Sequence, residues 1–212
     1  MPETWQGYVK VCGVTSVGDA EMVATAGASA LGLILTDSPR RVTLAQANEI
    51  AAATAGRLRR CAVFRHDSDA YILEHLDALD VETVQLHGKL SDSLLSALRE
   101  RTVSIVKALN IEADEFDDFD ETSVDAVMVD GARPGTGQPH SWDRFRTRRF
   151  RVPVIAAGGL NPENVDEIVR MTGVTGADCA SGVESRPGVK DRDLVERFVL
   201  NAKRALSGVE AS

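Results

Sequence analysis

The sequence predicts a single (β/α)8 TIM barrel occupying residues 1–212. Eight short apolar runs with strand character recur along the chain, and a segment of helical spacing follows each. The length of 212 residues falls in the lower size range of one such barrel and suffices to bury one sizeable core. The runs are Tyr8–Cys12, Ala30–Leu35, Arg60–Arg65, Thr83–His87, Ser104–Ala108, Ala126–Asp130, Val152–Ala157 and Ala177–Ala180. Each is nearly all apolar, as expected of a parallel sheet covered on both faces. Helical spacing occupies Ser16–Ala26, Thr43–Thr54, Asp67–Asp77, Ser91–Arg99, a short piece within Ile111–Phe119, Trp142–Arg148, Asn161–Met171 and Asp191–Leu206. Thr43 ahead of Leu44 and Asn161 ahead of Pro162 are helix-start signals, the proline fitting a first turn whose N–H has no partner to lose. The alternative, a doubly wound open sheet, would carry a glycine fingerprint after the first strand, and Cys12-Gly13-Val14-Thr15 is not one.

Composition narrows the function classes. The net charge of −8 repels nucleic acid and anionic membrane surfaces. No apolar stretch approaches the roughly 20 residues needed to span a bilayer, and the first ten residues carry no basic start with an apolar signal core. A cytoplasmic protein with a small-molecule substrate, as monomer or homodimer, is the expectation. Cys12, Cys61 and Cys179 are odd in number, far apart and without ligand spacing, so neither a disulfide framework nor a metal site is indicated. Two charge runs, Glu112–Glu121 and Arg144–Arg151, read as solvated surface, the arginines on the lower rim.

Barrel chemistry sits at the carboxyl ends of the strands, so the polar residues there are the candidates. They are Cys12, Arg40, His87, Lys107, Asp130, the pair Gly158-Gly159 and the pair Ser181-Gly182. The last two pairs follow strands seven and eight, where barrels bind phosphate, because glycine lets backbone N–H groups approach an anion closely. Ordinary tight turns are the plainer reading of either loop alone.

The strings VKVCGVT, SPRRVTLAQANEI, VQLHG, VDGARPGTGQ, AAGGLNPENV and SGVESRPGVKD stand in the order and near the spacing of the phosphoribosylanthranilate isomerase family, so nearly the whole chain resembles it. The resemblance implies an Amadori rearrangement of N-(5-phosphoribosyl)anthranilate in tryptophan biosynthesis, without metal or cofactor. It also implies Cys12 as general base and Asp130 as general acid. The reaction asks for both: a proton delivered to the furanose oxygen opens the ring, and a proton removed from C2′ forms the enolamine. A carboxyl flanked by buried strand residues can hold a proton near neutral pH, and a cysteine, whose free pKa is about 8.5, can be drawn toward thiolate by a nearby lysine or by phosphate-binding dipoles. Read without the family, a cysteine such as Cys12 on a buried strand is usually an inert small hydrophobe, and Asp130 is equally a turn cap.

By the same resemblance Arg40 holds the anthranilate carboxylate and His87 stands on the pocket wall; Asp178, near the end of strand eight, is a further binding candidate or a structural hydrogen-bond acceptor. Gly158, Gly159, Ser181 and Gly182 are the expected phosphate-binding residues, from their place after strands seven and eight. Lys10 and Lys107 stay outside the catalytic set because either could snorkel outward. The chain departs from the family pattern at Leu33 and Leu35, at the shortened loop Leu35–Arg40, at Pro134–Trp142 and at Ala180. Two other readings compete: the related aminoaldose isomerisation of histidine biosynthesis, against which Cys12 argues, and a noncatalytic sugar-phosphate-binding barrel.

Overall fold

The computed structural model describes residues 5–131 and 142–208. Eight parallel strands close into a barrel in chain order. They are β1 (Tyr8–Cys12), β2 (Ala30–Ile34), β3 (Arg59–Phe64), β4 (Thr83–Leu86), β5 (Ser104–Asn110), β6 (Ala126–Asp130), β7 (Val154–Ala157) and β8 (Gly176–Cys179). Closure is made by β1 against β8, in a register that sets Lys10 beside Asp178. The helices α1 (Val17–Thr25), α2 (Leu44–Ala53), α3 (Asp69–Asp77), α4 (Asp92–Glu100), α5 (Glu115–Asp118), α6 (Asp143–Thr147), α7 (Val165–Thr172) and α8 (Arg192–Ser207) alternate with them.

Side chains alternate across each strand, so the barrel has two cores. Trp5, Tyr8, Ala30, Val106, Ala108, Ala126, Met128, Ile155 and Ala157 form a cluster whose strand residues lie two apart. A larger cluster fills the space between sheet and helices. In α8 the buried residues Val195, Phe198, Val199, Ala202, Ala205 and Leu206 recur at three- and four-residue steps, one apolar stripe facing the barrel. Capping follows the sequence signals: Thr43 and Gln46 form a reciprocal capping box on α2, and Ser16, Ser68, Ser91 and Asp191 each accept an N–H of the first turn of α1, α3, α4 and α8.

The structure corrects the sequence reading in three places. Helix α7 starts at Val165 rather than after Asn161, because the Asn161 side chain captures the N–H groups of Glu163 and Asn164 at 2.8 and 3.1 Å and folds residues 161–164 into a turn. The strands are not uniformly apolar: Lys10, Gln85 and Asp178 lie buried within them. The two charge runs are exposed for most of their length, as the sequence suggests, but Glu121 is buried, Arg144 and Arg148 are partly buried, and the runs pair with each other. Arg144 reaches Asp117 at 2.5 Å, the Arg151 N–H donates to Glu121 at 2.8 Å, and Arg148 lies 4.5 Å over the Phe150 ring while donating to the Phe119 carbonyl. Helices α5 and α6, of four and five residues, are too short to carry long apolar stripes, and these arginines with Phe116, Phe145 and Phe150 cover that side of the barrel.

After β8 the chain adds a single 3-10 turn, Ser181–Val183, and a small antiparallel hairpin of β9 (Glu184–Arg186) and β10 (Val189–Lys190). No helix among the described residues is long and apolar enough to cross a membrane.

Candidate active site

A hollow of about 570 Å³ opens at the carboxyl ends of the strands, a volume suited to a drug-sized ligand. Cys12, Arg40, His87, Asp130, Gly158, Gly159, Asp178 and Ser181 all line it. Cys12 ends β1 and Asp130 ends β6, so β7 and β8 separate the two and both side chains meet the same space. Of the strand-end candidates, Lys107 and Gly182 are off the lining. A Cβ at Gly182 would sit 2.0 Å from the Leu160 carbonyl, so its backbone packs directly against the loop after β7, and its N–H faces the Cys179 thiol.

The Cys12 thiol fits because its neighbour on β2 is Gly32, where a Cβ would lie 2.6 Å from Sγ. Burial pushes this thiol above its ordinary value, and Lys10 and Lys190 oppose that push while Asp178 adds to it. The sequence points to a nearby lysine or phosphate-binding dipoles drawing Cys12 toward thiolate; at this buried strand end the desolvation of a thiolate outweighs the lysines. Lys10 lies beneath, its Nζ 2.8 Å from Asp178 Oδ1, and both are buried. Burial disfavours the ammonium, but the Asp178 carboxylate holds Lys10 well above its ordinary pKa. Asp178 therefore reaches the hollow as half of an ion pair rather than as a free acceptor. His87 is pushed down to about 4, by burial first and then by the positive charges of Arg65, Lys107 and Lys10. It is neutral at physiological pH, with its Nε2 3.1 Å from Gln85 Nε2.

Arg40 enters from the loop after β2 and is clasped on one edge by Glu184: Nε lies 2.8 Å from Oε1 and Nη2 lies 2.7 Å from Oε2. On its other side the Arg40 methylenes run over Gly13, which has φ +71° and where a Cβ would meet Arg40 Cδ at 2.6 Å. Across the mouth, Gly158 and Gly159 take φ of +80° and +70°, a left-handed pair that side chains with a Cβ rarely adopt. The N–H groups of Gly158, Gly159 and Ser181 donate to no acceptor among the described residues. That leaves main-chain donors from two adjacent loops available to an anion. All three cysteines are free and buried, and no group of three or more His, Cys, Asp or Glu among the described residues is placed to hold a metal ion.

Residues 9–201 match the family described as N-(5'phosphoribosyl)anthranilate (PRA) isomerase. The chain belongs to this family. It is 40% identical over 210 residues to the N-(5'-phosphoribosyl)anthranilate isomerase of Haloarcula marismortui, covering 94% of this chain and 98% of the relative. Among solved structures it resembles the phosphoribosyl anthranilate isomerase of Thermotoga maritima, with a TM-score of 0.81, 29% identity and coverage of 93% and 98%. A phosphoribosyl anthranilate isomerase solved in complex with reduced 1-(o-carboxyphenylamino)-1-deoxyribulose 5-phosphate superposes with a TM-score of 0.78 at 28% identity, covering 93% of this chain and 98% of that one.

In this member of the isomerase family the sequence reading missed two site residues, Glu184 and Lys190, although both stand in the string SGVESRPGVKD. Lys190 is fully buried and donates to the Cys12 carbonyl at 2.7 Å, the Ala180 carbonyl at 3.0 Å and Glu184 Oε1 at 2.9 Å. The available signal was a pair of opposite charges flanking a Pro-Gly turn, which brings positions six apart together as a hairpin. Lys107, by contrast, turns away from the hollow, with its Nζ 2.9 Å from Glu115. The loop Pro134–Ser141, where the sequence departs from the family pattern, lies outside the described residues.

Proposed function

We propose that this chain converts N-(5'-phosphoribosyl)anthranilate to 1-(2-carboxyphenylamino)-1-deoxyribulose 5-phosphate, acting in the cytoplasm as one barrel domain with Cys12 as general base and Asp130 as general acid. The observation that carries the reading is the shared hollow, which a thiol and a carboxyl enter from separate strands between a guanidinium and a pair of amide-rich loops. The Asp130 carboxyl gives its proton to the ring oxygen as the C1′–O bond breaks, and the anilino nitrogen lone pair forms the C1′=N bond of an iminium. The Cys12 thiolate then removes the C2′ proton, whose bonding electrons become the C1′=C2′ double bond while the C=N pair returns to nitrogen. The enolamine tautomerises: C1′ gains a proton and the C2′ hydroxyl loses one, leaving a ketone. C2′ is oxidised and C1′ reduced within one molecule, so the electrons balance without an outside redox partner.

The remaining residues bind and orient. Gly158, Gly159 and Ser181 offer N–H groups to the phosphate, and Arg40 offers its free edge to the anthranilate carboxylate. His87, uncharged, packs at the wall. The Lys10–Asp178 pair sits below, where its cation offsets part of the desolvation of the Cys12 thiolate.

Substrate formed in situ from anthranilate and ribose 5-phosphate tests the reading. Chromatography should resolve a ketose product that accumulates in proportion to enzyme concentration. Product formation no faster than in the protein-free control would overturn it.

A further inference from the structure

Glu184 has no place in the proton transfers, yet it is 3% exposed at the side chain and makes ion pairs with two cations at the edge of the hollow. We infer that Glu184 is a positioning residue for specificity: with Lys190 it presents the Arg40 guanidinium, still carrying its net positive charge, to the carboxylate on the aryl ring of the substrate. The inference rests on the reading of the hollow as a phosphoribosylanthranilate site.

Three constraints fix the guanidinium. Glu184 takes Nε and Nη2 through both carboxylate oxygens, which sets the plane of the fork. Gly13 leaves room for the Arg40 methylenes where any side chain would collide with Cδ at 2.6 Å. Lys190 pins Glu184 in turn and is itself held by the carbonyls of Cys12 and Ala180, at the ends of β1 and β8. An arginine on a polar loop otherwise samples many rotamers, and ordering it on binding costs free energy. Here that ordering is complete before a ligand arrives.

The charge count matters as much as the geometry. A lone Arg–Glu pair would be neutral and would have little to offer a second carboxylate. With Lys190 included, two cations share one anion, and the trio keeps a net charge of +1 at the hollow. Burial alone would raise the Glu184 carboxyl, but Arg40 and Lys190 hold it below its ordinary pKa, so it stays ionised at working pH. The Nη1 end of Arg40, which no protein acceptor takes among the described residues, is the edge left for substrate.

A paired-substrate experiment tests this. Glu184→Gln and Glu184→Ala would be assayed with the anthranilate-derived substrate and with its counterpart made from aniline, which lacks the carboxylate. KM for the first should rise about 10- to 100-fold, the loss expected for a charged hydrogen bond. The second should keep the KM that the wild type shows for it, within about 3-fold. On an Arg40→Ala background, Glu184→Gln should add no further loss, and the loss caused by Arg40→Ala alone should fall on the carboxylate-bearing substrate only, a readout that stands even if the Glu184 variants fold poorly. Equal losses on both substrates, a fall in kcat with KM unmoved, or no change at all would overturn the inference. Equilibrium titration with the reduced product, with and without its ring carboxylate, reads the same grip without turnover. If the wild type proved inactive while Glu184→Gln still lost only the carboxylate-bearing ligand, the catalytic reading would fall and this inference would stand.

Discussion

Replacing Cys12 by alanine is expected to lower kcat by about 10²- to 10⁴-fold, the range for removal of a general base, while binding of the reduced product stays within a few fold. The asymmetry follows from the proposed binding mode, in which the loops after β7 and β8 take the phosphate and Arg40 the carboxylate, and none of these depends on the Cys12 side chain for its conformation. Serine should do little better than alanine, since its hydroxyl ionises far less readily than a thiol. The wild type should also show a pH signature. As the proposed base Cys12 works as thiolate and burial raises its pKa, so the limb that belongs to Cys12 should lie above the ordinary thiol range of about 8 to 9. His87 contributes no limb near neutrality, being pushed down to about 4. A kcat for Cys12→Ala within a few fold of wild type would remove Cys12 from the mechanism.

Asp130→Asn keeps the size of the side chain and removes the transferable proton, so ring opening loses its acid. A fall in kcat of about 10²- to 10⁴-fold is expected here too. The two variants differ in which step becomes slow, and a substrate deuterated at C2′ tells them apart. In Cys12→Ser the C–H cleavage limits turnover and the primary isotope effect should be fully expressed. In Asp130→Asn ring opening limits turnover and the effect should shrink toward unity. A full isotope effect in both would mean that Asp130 acts at the same step as Cys12 and not on the ring oxygen.

The barrel was legible because eight apolar runs with intervening helical spacing leave few other ways to bury that much strand. Side-chain parity within the strands separates the two strand lysines. Lys10 stands two residues before Cys12, and so shares its inward face, whereas Lys107 lies between the inward Val106 and Ala108 and points out to Glu115. The candidate site was legible wherever a strand end supplied the residue, as with Cys12, His87 and Asp130, all of which line the hollow. It was less legible in the loops, where partners are set by tertiary approach. Gly182 looks like its neighbour Ser181 in sequence, but it is spent on the close contact with Leu160. Glu184 and Lys190 become site residues only when the hairpin of β9 and β10 folds back over the end of β1. The pairing of Arg144 with Asp117 is non-local in the same way, joining two runs that each read as solvated when taken alone.

A crystal structure with reduced 1-(o-carboxyphenylamino)-1-deoxyribulose 5-phosphate bound puts the proton-transfer geometry to direct measurement. It should place Cys12 Sγ in contact with C2′, at about 4 Å or less, and the Asp130 carboxyl beside the oxygen that closes the furanose, with the phosphate on the amides of Gly158, Gly159 and Ser181. A ligand seated with C2′ out of reach of Sγ, or with Asp130 turned away from the sugar, would contradict the assignment of base and acid.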